Sequence, residues 1–440
     1  MKHHIVLNIG QDGYTPSVAE GEIICPFVIG TDEGGNTIRS SVDRDFRNAG
    51  LRLTPTASDI LNLASAAYSA DLFVRRKTGF DSWTRDLKLH LPVHDRSAWQ
   101  KQSDLVIEML SFLSGDHWEL ELRDRAKTDT EEAAPLDENE FSATEVSLFS
   151  GGLDSFIGSI ERLAAGEHLY LVGHHGAGTT NKAQVDAFES ISKHYEKQAC
   201  SLRFYVQPPM PEGEAEKTTR SRSILFLALG HAVAASAEKA LPLHVPENGL
   251  ISLNPPLTSS RLGTLSTRTT HPHFMDLFRT LLAALGSDVE VVTPYRFETK
   301  GEMALRAFSN PAFASAVHRT VSCSHPDVGR YQGESPGQHC GYCVPCIIRR
   351  AALYAAGLDD PAHYLNDIVS TRPSAGSDTN RDLRAFEMAV ARFDEADLSR
   401  HLFDVLSTGP IPPEHADEFA AVYRRGMTEV KNFLQTLART

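Results

Sequence analysis

Long apolar runs are missing from this chain. Nowhere in its 440 residues does a stretch approach the roughly 20 apolar residues that cross a bilayer, so no membrane-spanning segment is expected. The start, Met1 to Asp12, holds only the short run Ile5, Val6 and Leu7. It lacks the apolar region and small-residue cleavage site of a secretory signal, and a cytoplasmic location is the expectation. Positive charge is in deficit: 43 Lys and Arg face 57 Asp and Glu, a net charge of -14. Phosphate contacts need clustered cations, so general nucleic-acid binding is disfavoured. Cysteine is scarce too. Four of the six fall between Cys323 and Cys346, and in a large cytosolic chain that clustering indicates a metal site rather than disulfides. No repeat or low-complexity tract is evident. With 41% hydrophobic and 23% charged residues, composition is that of an ordinary globular protein, and length suggests two or three domains.

What is present reads in blocks. Residues 1–123 mix helical spacing (Ile60, Leu61, Leu63, Ala64, Ala67, Leu72) with strand alternation (Leu87, Leu89, Leu91, Val93, then Trp118, Leu120, Leu122). They predict a small α+β domain, and they contain no catalytic motif. Residues 124–145, rich in Asp, Glu, Thr and Ala, read as an acidic solvated linker. From Val146 to Leu358 strands and helices alternate. Apolar strands at Val146 to Phe149, Leu169 to Val172, Leu202 to Val206, Leu243 to Val245 and Val289 to Val292 are separated by helical patterns. The expected fold class is therefore α/β, a doubly wound parallel sheet. Residues 359–440 read as helical.

The most informative hexapeptide is Ser150-Gly151-Gly152-Leu153-Asp154-Ser155, set where a strand ends and a helix begins. Two glycines allow close backbone approach, the serines offer hydroxyls, and the helix start supplies N–H groups and a positive dipole end, which together suit a phosphate. Asp154 could help hold Mg2+ against that phosphate. The Lys-Ser/Thr ending of a Walker A loop is absent. The plainer alternative is a tight turn with Ser or Asp as helix cap, but serines flanking two glycines directly after a strand favour the phosphate.

This hexapeptide is the signature of PP-loop ATP pyrophosphatases, and residues 146–358 resemble the 7-cyano-7-deazaguanine synthases, the QueC family. Ser221 to Ala228 resembles that family's Arg-Asn-x-x-Phe-Leu helix start near the nucleotide, which would be Arg222 here. Thr293-Pro294, followed by Thr299-Lys300-Gly301-Glu302, resembles its active-site lysine segment. The resemblance implies ATP and Mg2+ as cofactors. It also implies nucleotide contacts from Ser150, Gly151, Gly152, Leu153, Asp154, Ser155 and Arg222, with Asp154 and Lys300 in catalytic roles; Lys300 could stabilise developing negative charge. His174, with His175, follows a strand just before Gly176 and Gly178. Position at a strand's carboxyl end makes ligand contact plausible for His174, although the family has Tyr-Gly-Gln there. His231, within an apolar helix, reads as a packed residue.

Cys340-Gly341-Tyr342-Cys343-Val344-Pro345-Cys346 contains two overlapping C-x-x-C units, with Cys323 upstream. Four thiolates suffice for tetrahedral zinc at about 2.3 Å; an iron–sulfur cluster is the rival. The QueC family carries the same arrangement as a structural Zn2+ site, followed by a basic helix like Ile347 to Ala351. The longer gap after Cys323 includes His325 and His339, and either could replace Cys323 as the fourth ligand, with the four-cysteine set preferred. A closed four-thiolate site leaves no open position for catalysis.

Two features depart from the family. Its Asp-Cys-Arg-Pro segment, which helps recognise the deazapurine, is replaced by Ser266 to Phe274, where Arg268 and His271 keep polar handles. The added N-terminal region is similar in layout to QueC-like proteins of bacterial anti-phage systems, the QatC-like branch. The resemblance implies an ATP-dependent C–N ligase that adenylates 7-carboxy-7-deazaguanine or a related deazapurine carboxylate, releases pyrophosphate, and forms an amide or nitrile. Alternatives are an amide ligase that takes its amine from a protein partner docked on residues 1–123, and a defence subunit that binds ATP without turnover.

Overall fold

The computed structural model describes the chain apart from residues 31–34, 133–140, 176–178, 212, 217–219, 259–267, 332, 334–336, 375 and 438–440. Among the described residues ten strands make one sheet: β1 (Lys2–Ile9), β2 (Ile23–Ile29), β3 (Thr37–Ser40), β4 (Asp86–Val93), β5 (His117–Asp124), β6 (Glu145–Leu148), β7 (Leu169–His175), β8 (Ala199–Gln207), β9 (Leu243–His244) and β10 (Val291–Val292). Their order is β10-β9-β6-β7-β8-β3-β2-β1-β4-β5. Every neighbouring pair is parallel except β3 and β8, where Arg39 faces Gln207 and Ser40 faces Val206. Ser41 secures that junction, donating its N–H to Tyr205 O and accepting from Tyr205 N, both at 2.9 Å.

The expectation of a mixed α/β chain with a large, mostly parallel sheet is met. The first block differs from its α+β reading: β1 to β5 are all parallel, and helix Ser103–Ser114 connects β4 to β5. The alternation at Leu87, Leu89, Leu91 and Val93 marks one covered face, and all four are buried. The other face carries polar groups such as His4 and His90, under the 10–22 loop that brings Glu22 to His4 and Tyr14 to His90.

Helix Pro55–Phe73 joins the two halves. Thr54 caps it, accepting from Ala57 N, and Pro55 occupies its first turn, where a missing N–H costs nothing. It packs on β1 and β4 and also on helix Arg222–Ala234. One apolar cluster consequently runs from Ile5, Leu63 and Leu89 through to Val146, Leu225 and Phe278. Helix Arg222–Ala234 is apolar almost all round, as a helix buried on every side must be. Gly230 lets it settle on the sheet: a Cβ there would stand 2.6 Å from Leu148 and 2.7 Å from Leu243.

Beyond the sheet the chain is helical. Helix Ala416–Leu437 packs on helices Val344–Ala355, Gly249–Leu253 and Lys300–Ala307. Val422, Met427 and Phe433 meet Ile347, Leu250 and Phe386 in a second core. Among the described residues no helix is long and apolar enough to cross a membrane.

Candidate functional site

From β6 the chain steps outward to β7 and β8, then returns to β9 on the opposite side of β6. The carboxyl ends of β6 and β9 therefore flank a topological switch point, where open α/β sheets place their ligands. The Gly-rich turn emerges there. Gly151 has φ +78°, and a Cβ on it would lie 2.8 Å from Gln184 N, so neither backbone conformation nor space admits another residue. The Ser150 hydroxyl accepts from Gly152 N at 3.2 Å, and Ser155 donates to Gly152 O at 3.0 Å. Leu153 N donates to the Ser322 hydroxyl at 3.1 Å, while Val321 N donates to Gly151 O at 2.9 Å. Two N–H groups at the head of helix Leu153–Ala164 are thus met by neutral hydroxyls, which an anionic oxygen would outcompete.

The turn opens on a cavity of about 510 Å³. Ser150, Asp154, Arg220, Arg222, Glu247 and Lys300 are among the polar groups that line it. Asp154 and Lys300, each 5% exposed, form an ion pair. The other Asp154 oxygen accepts from Asn248 Nδ2 at 2.6 Å and Asn248 N at 3.2 Å. Lys300 opens helix Lys300–Ala307, whose start is fixed by a capping box between Thr299 and Glu302. Thr299 also donates to Glu429 of helix Ala416–Leu437. Glu247 was not anticipated from the sequence. Burial, followed by the Asp154 charge, pushes its carboxyl up to about 8 against the opposing effect of Lys300. Asn248 and Ser322 were missed as well. All three lie in loops without motif, and only the strand-then-Pro-Glu-Asn-Gly order around Glu247 offered a signal.

Arg222 lines the cavity, but His174 stands behind it. His174 is 1% exposed and does not line the cavity. Its Nε2 faces Val206 O at 2.9 Å, a carbonyl that can only accept, so the proton belongs on Nε2. Nδ1 is then left to accept from Arg222 Nε at 3.3 Å. Burial, reinforced by Arg222, brings His174 down to about 4 and keeps it neutral. Gly176 and Gly178 lie outside the described residues. Arg268 and His271 also turn inward. Arg268 donates to Phe112 O at 2.9 Å, and fully buried His271 contacts Thr408 Oγ1 at 2.8 Å while capping helix Pro272–Ala284. Ser266 and Thr267 lie outside the described residues, and Thr269 and Thr270 line the cavity instead. His231 is buried, with Nε2 2.8 Å from Ser287 Oγ.

The four cysteines meet as one cluster. The sulfurs of Cys323, Cys340, Cys343 and Cys346 lie within 4.8 Å of one another, and the Cys323–Cys343 and Cys340–Cys346 pairs are 3.9 Å apart. Tetrahedral zinc with Zn–S bonds of about 2.3 Å requires sulfurs about 3.8 Å apart. The donor set therefore fits a single ion such as zinc. His339 is directed elsewhere, accepting from Ser322 N at 3.2 Å. The cluster adjoins the cavity, since Cys323 follows Ser322 and both are part of its lining.

No protein-family model matches the chain. Curated relatives do. The 7-cyano-7-deazaguanine synthase of Brucella anthropi is 26% identical over 216 residues, which are 48% of this chain and 76% of that protein. The synthase of the same name from Brucella ovis is 26% identical over 238 residues, 49% of this chain and 91% of that protein. The likeness is distant, and it reaches about half of this chain.

Proposed function

We propose that this protein is an ATP-dependent ligase of the 7-cyano-7-deazaguanine synthase kind. Its substrate on this reading is 7-carboxy-7-deazaguanine or a closely related deazapurine carboxylate. The observation that carries the reading is the turn Ser150 to Ser155, which opens at the switch point of the sheet onto a cavity lined by Lys300 and Arg222. The names of the curated relatives support it.

ATP lies with its phosphates over the turn, where Gly152 N, Leu153 N and the Ser150 and Ser155 hydroxyls face them. Asp154 and Glu247, the carboxyl groups lining the cavity, would hold Mg2+, which would neutralise part of the phosphate charge. Asp154 holds the Lys300 ammonium in place, and Lys300 stabilises charge that develops as the substrate carboxylate attacks the α-phosphate. Pyrophosphate leaves, and an acyl-adenylate remains. An amine then displaces AMP to give an amide, and a second adenylation of that amide can dehydrate it to a nitrile. The cysteine cluster holds zinc as a structural brace and takes no part in these steps. The anti-phage setting implied by the N-terminal layout belongs to the same proposal; protection of a phage-challenged host by the wild-type gene set and its loss with Lys300→Met would support it.

The deciding experiment is mass spectrometry of purified protein with ATP, Mg2+, ammonium and 7-carboxy-7-deazaguanine. Nitrile together with AMP and pyrophosphate is the expected result. An amide or adenylate alone would indicate a ligase that uses another amine, and no turnover with this carboxylate would overturn the substrate assignment.

A further inference from the structure

Behind one wall of the cavity stands the part of the chain that carries no motif. Helix Arg222–Ala234 begins after Ser221, whose side chain makes no capping bond, although the first N–H groups of a helix need partners. The Asp71 carboxylate, at the end of helix Pro55–Phe73, accepts from Arg220 N and from Ser221 N, the latter at 2.8 Å. Asp71 is 1% exposed. Arg85 at 2.8 Å and Arg76 at 3.3 Å hold it, and both also engage Asp116. The Arg220 guanidinium lies 4.9 Å from the centre of the Trp83 ring and donates to Ser114 O at 3.5 Å. All of these holders belong to residues 1–123. Arg220 itself is 2% exposed and lines the cavity, together with the hydroxyl-bearing Ser223, Thr269 and Thr270.

We propose that Arg220 is an anion-binding residue of this cavity, set in place by residues 1–123, and that it takes a carboxylate or phosphate group of the bound ligand. The identity of that ligand rests on the function proposed above. A guanidinium presents paired N–H donors that match two oxygens of such an anion. Its electrostatic setting agrees. Burial, then the neighbouring Arg76 and Arg268, push Arg220 down to about 10 despite Asp71 and Asp116. On this view the first block of the chain backs one wall of the site.

The test is Arg220→Gln, which keeps a donor toward Ser114 O and removes the charge. Thermal unfolding of the ligand-free variant checks that the fold is kept. Equilibrium binding of ATP and of 7-carboxy-7-deazaguanine is measured separately. A loss of about 10- to 100-fold for one of them is expected; loss for ATP assigns a phosphate, and loss for the deazapurine assigns the carboxylate. Arg220→Lys, which keeps the charge, should recover part of that affinity, and this separates lost charge from general damage. Unchanged affinity for both ligands, or a loss of affinity that lysine does not recover in part, overturns the proposal. If the wild-type protein binds neither ligand, the proposed function fails. Arg220 is then read with inorganic pyrophosphate, for which the same drop is expected and its absence counts against the residue.

Discussion

On the proposed function, the Asp154–Lys300 pair is where chemistry and stability meet in single side chains. Both groups are almost completely buried, so removing one strands the other in a medium that solvates it poorly. Lys300→Met and Asp154→Asn are each expected to destabilise the fold by about 3–5 kcal/mol. The double variant should lose clearly less than their sum, because no stranded charge remains. Urea unfolding of the four proteins measures this coupling, and additive losses would show that the two groups do not depend on each other. Turnover should fall by about 10²–10³ in both single variants, the scale of losing one charge-stabilising group. The resemblance pointed to both residues, and the turn was legible because its chemistry is contiguous. Asn248, which completes the hold on Asp154, was not legible. Its role arises only because β9 ends beside β6, 94 residues away in sequence.

At the scale of elements, the segment Val321 to Cys323 couples the metal cluster to the Gly-rich turn. Val321 N and the Ser322 hydroxyl bond the turn on one side, while Cys323 joins the thiol cluster on the other. Loss of the ion should therefore loosen the phosphate-facing wall as well as the cluster. The purified protein is expected to contain one zinc per chain. Metal removal by a chelator, or Cys343→Ser, should lower Tm by several degrees and weaken ATP binding in parallel. Full ATP affinity in metal-free protein would show that the wall stands without the cluster. The C-x-x-C spacing made the ligand set readable, but nothing in the spacing revealed which loop the cluster braces. Strand direction in the first block was hidden for a related reason. Alternation at Leu87, Leu89 and Leu91 reports that one face is covered, and it is silent on whether the neighbouring strand runs parallel.

Across the whole molecule, buried titratable groups of two kinds oppose each other. Burial is the largest influence on His90, His174 and His231, each lowered to about 4, and on His271, lowered to about 3. Each stays neutral in the fold but takes up a proton on unfolding once pH drops below the ordinary 6.5. Their contribution is whole above that value and is lost as pH falls toward 4, at about 1.4 kcal/mol per pH unit for each histidine. Buried carboxyls act in the other direction. Burial raises Asp59 to about 6, Glu429 to about 7 and Glu247 to about 8. These groups stay protonated in the fold while the unfolded chain ionises, so stability declines as pH rises from their ordinary range toward those values. The histidines, spread over both halves of one sheet and its helices, outnumber the carboxyls. Between about pH 4.5 and 6 the three carboxyls offset most of the histidine effect, and above 6.5 only Glu429 and Glu247 still act, so a maximum of stability near pH 6.5 is expected. His231→Gln, which can keep the contact with Ser287, should flatten the acid limb by about one proton's worth of slope. Glu429→Gln removes an opposing proton between about pH 4.5 and 7, so it should steepen the acid limb and flatten the short stretch from 6.5 to 7. Denaturant unfolding between about pH 4.5 and 8.5 reads both slopes, and an acid limb equally steep in wild type and His231→Gln would mean that this imidazole already carries its proton within the fold.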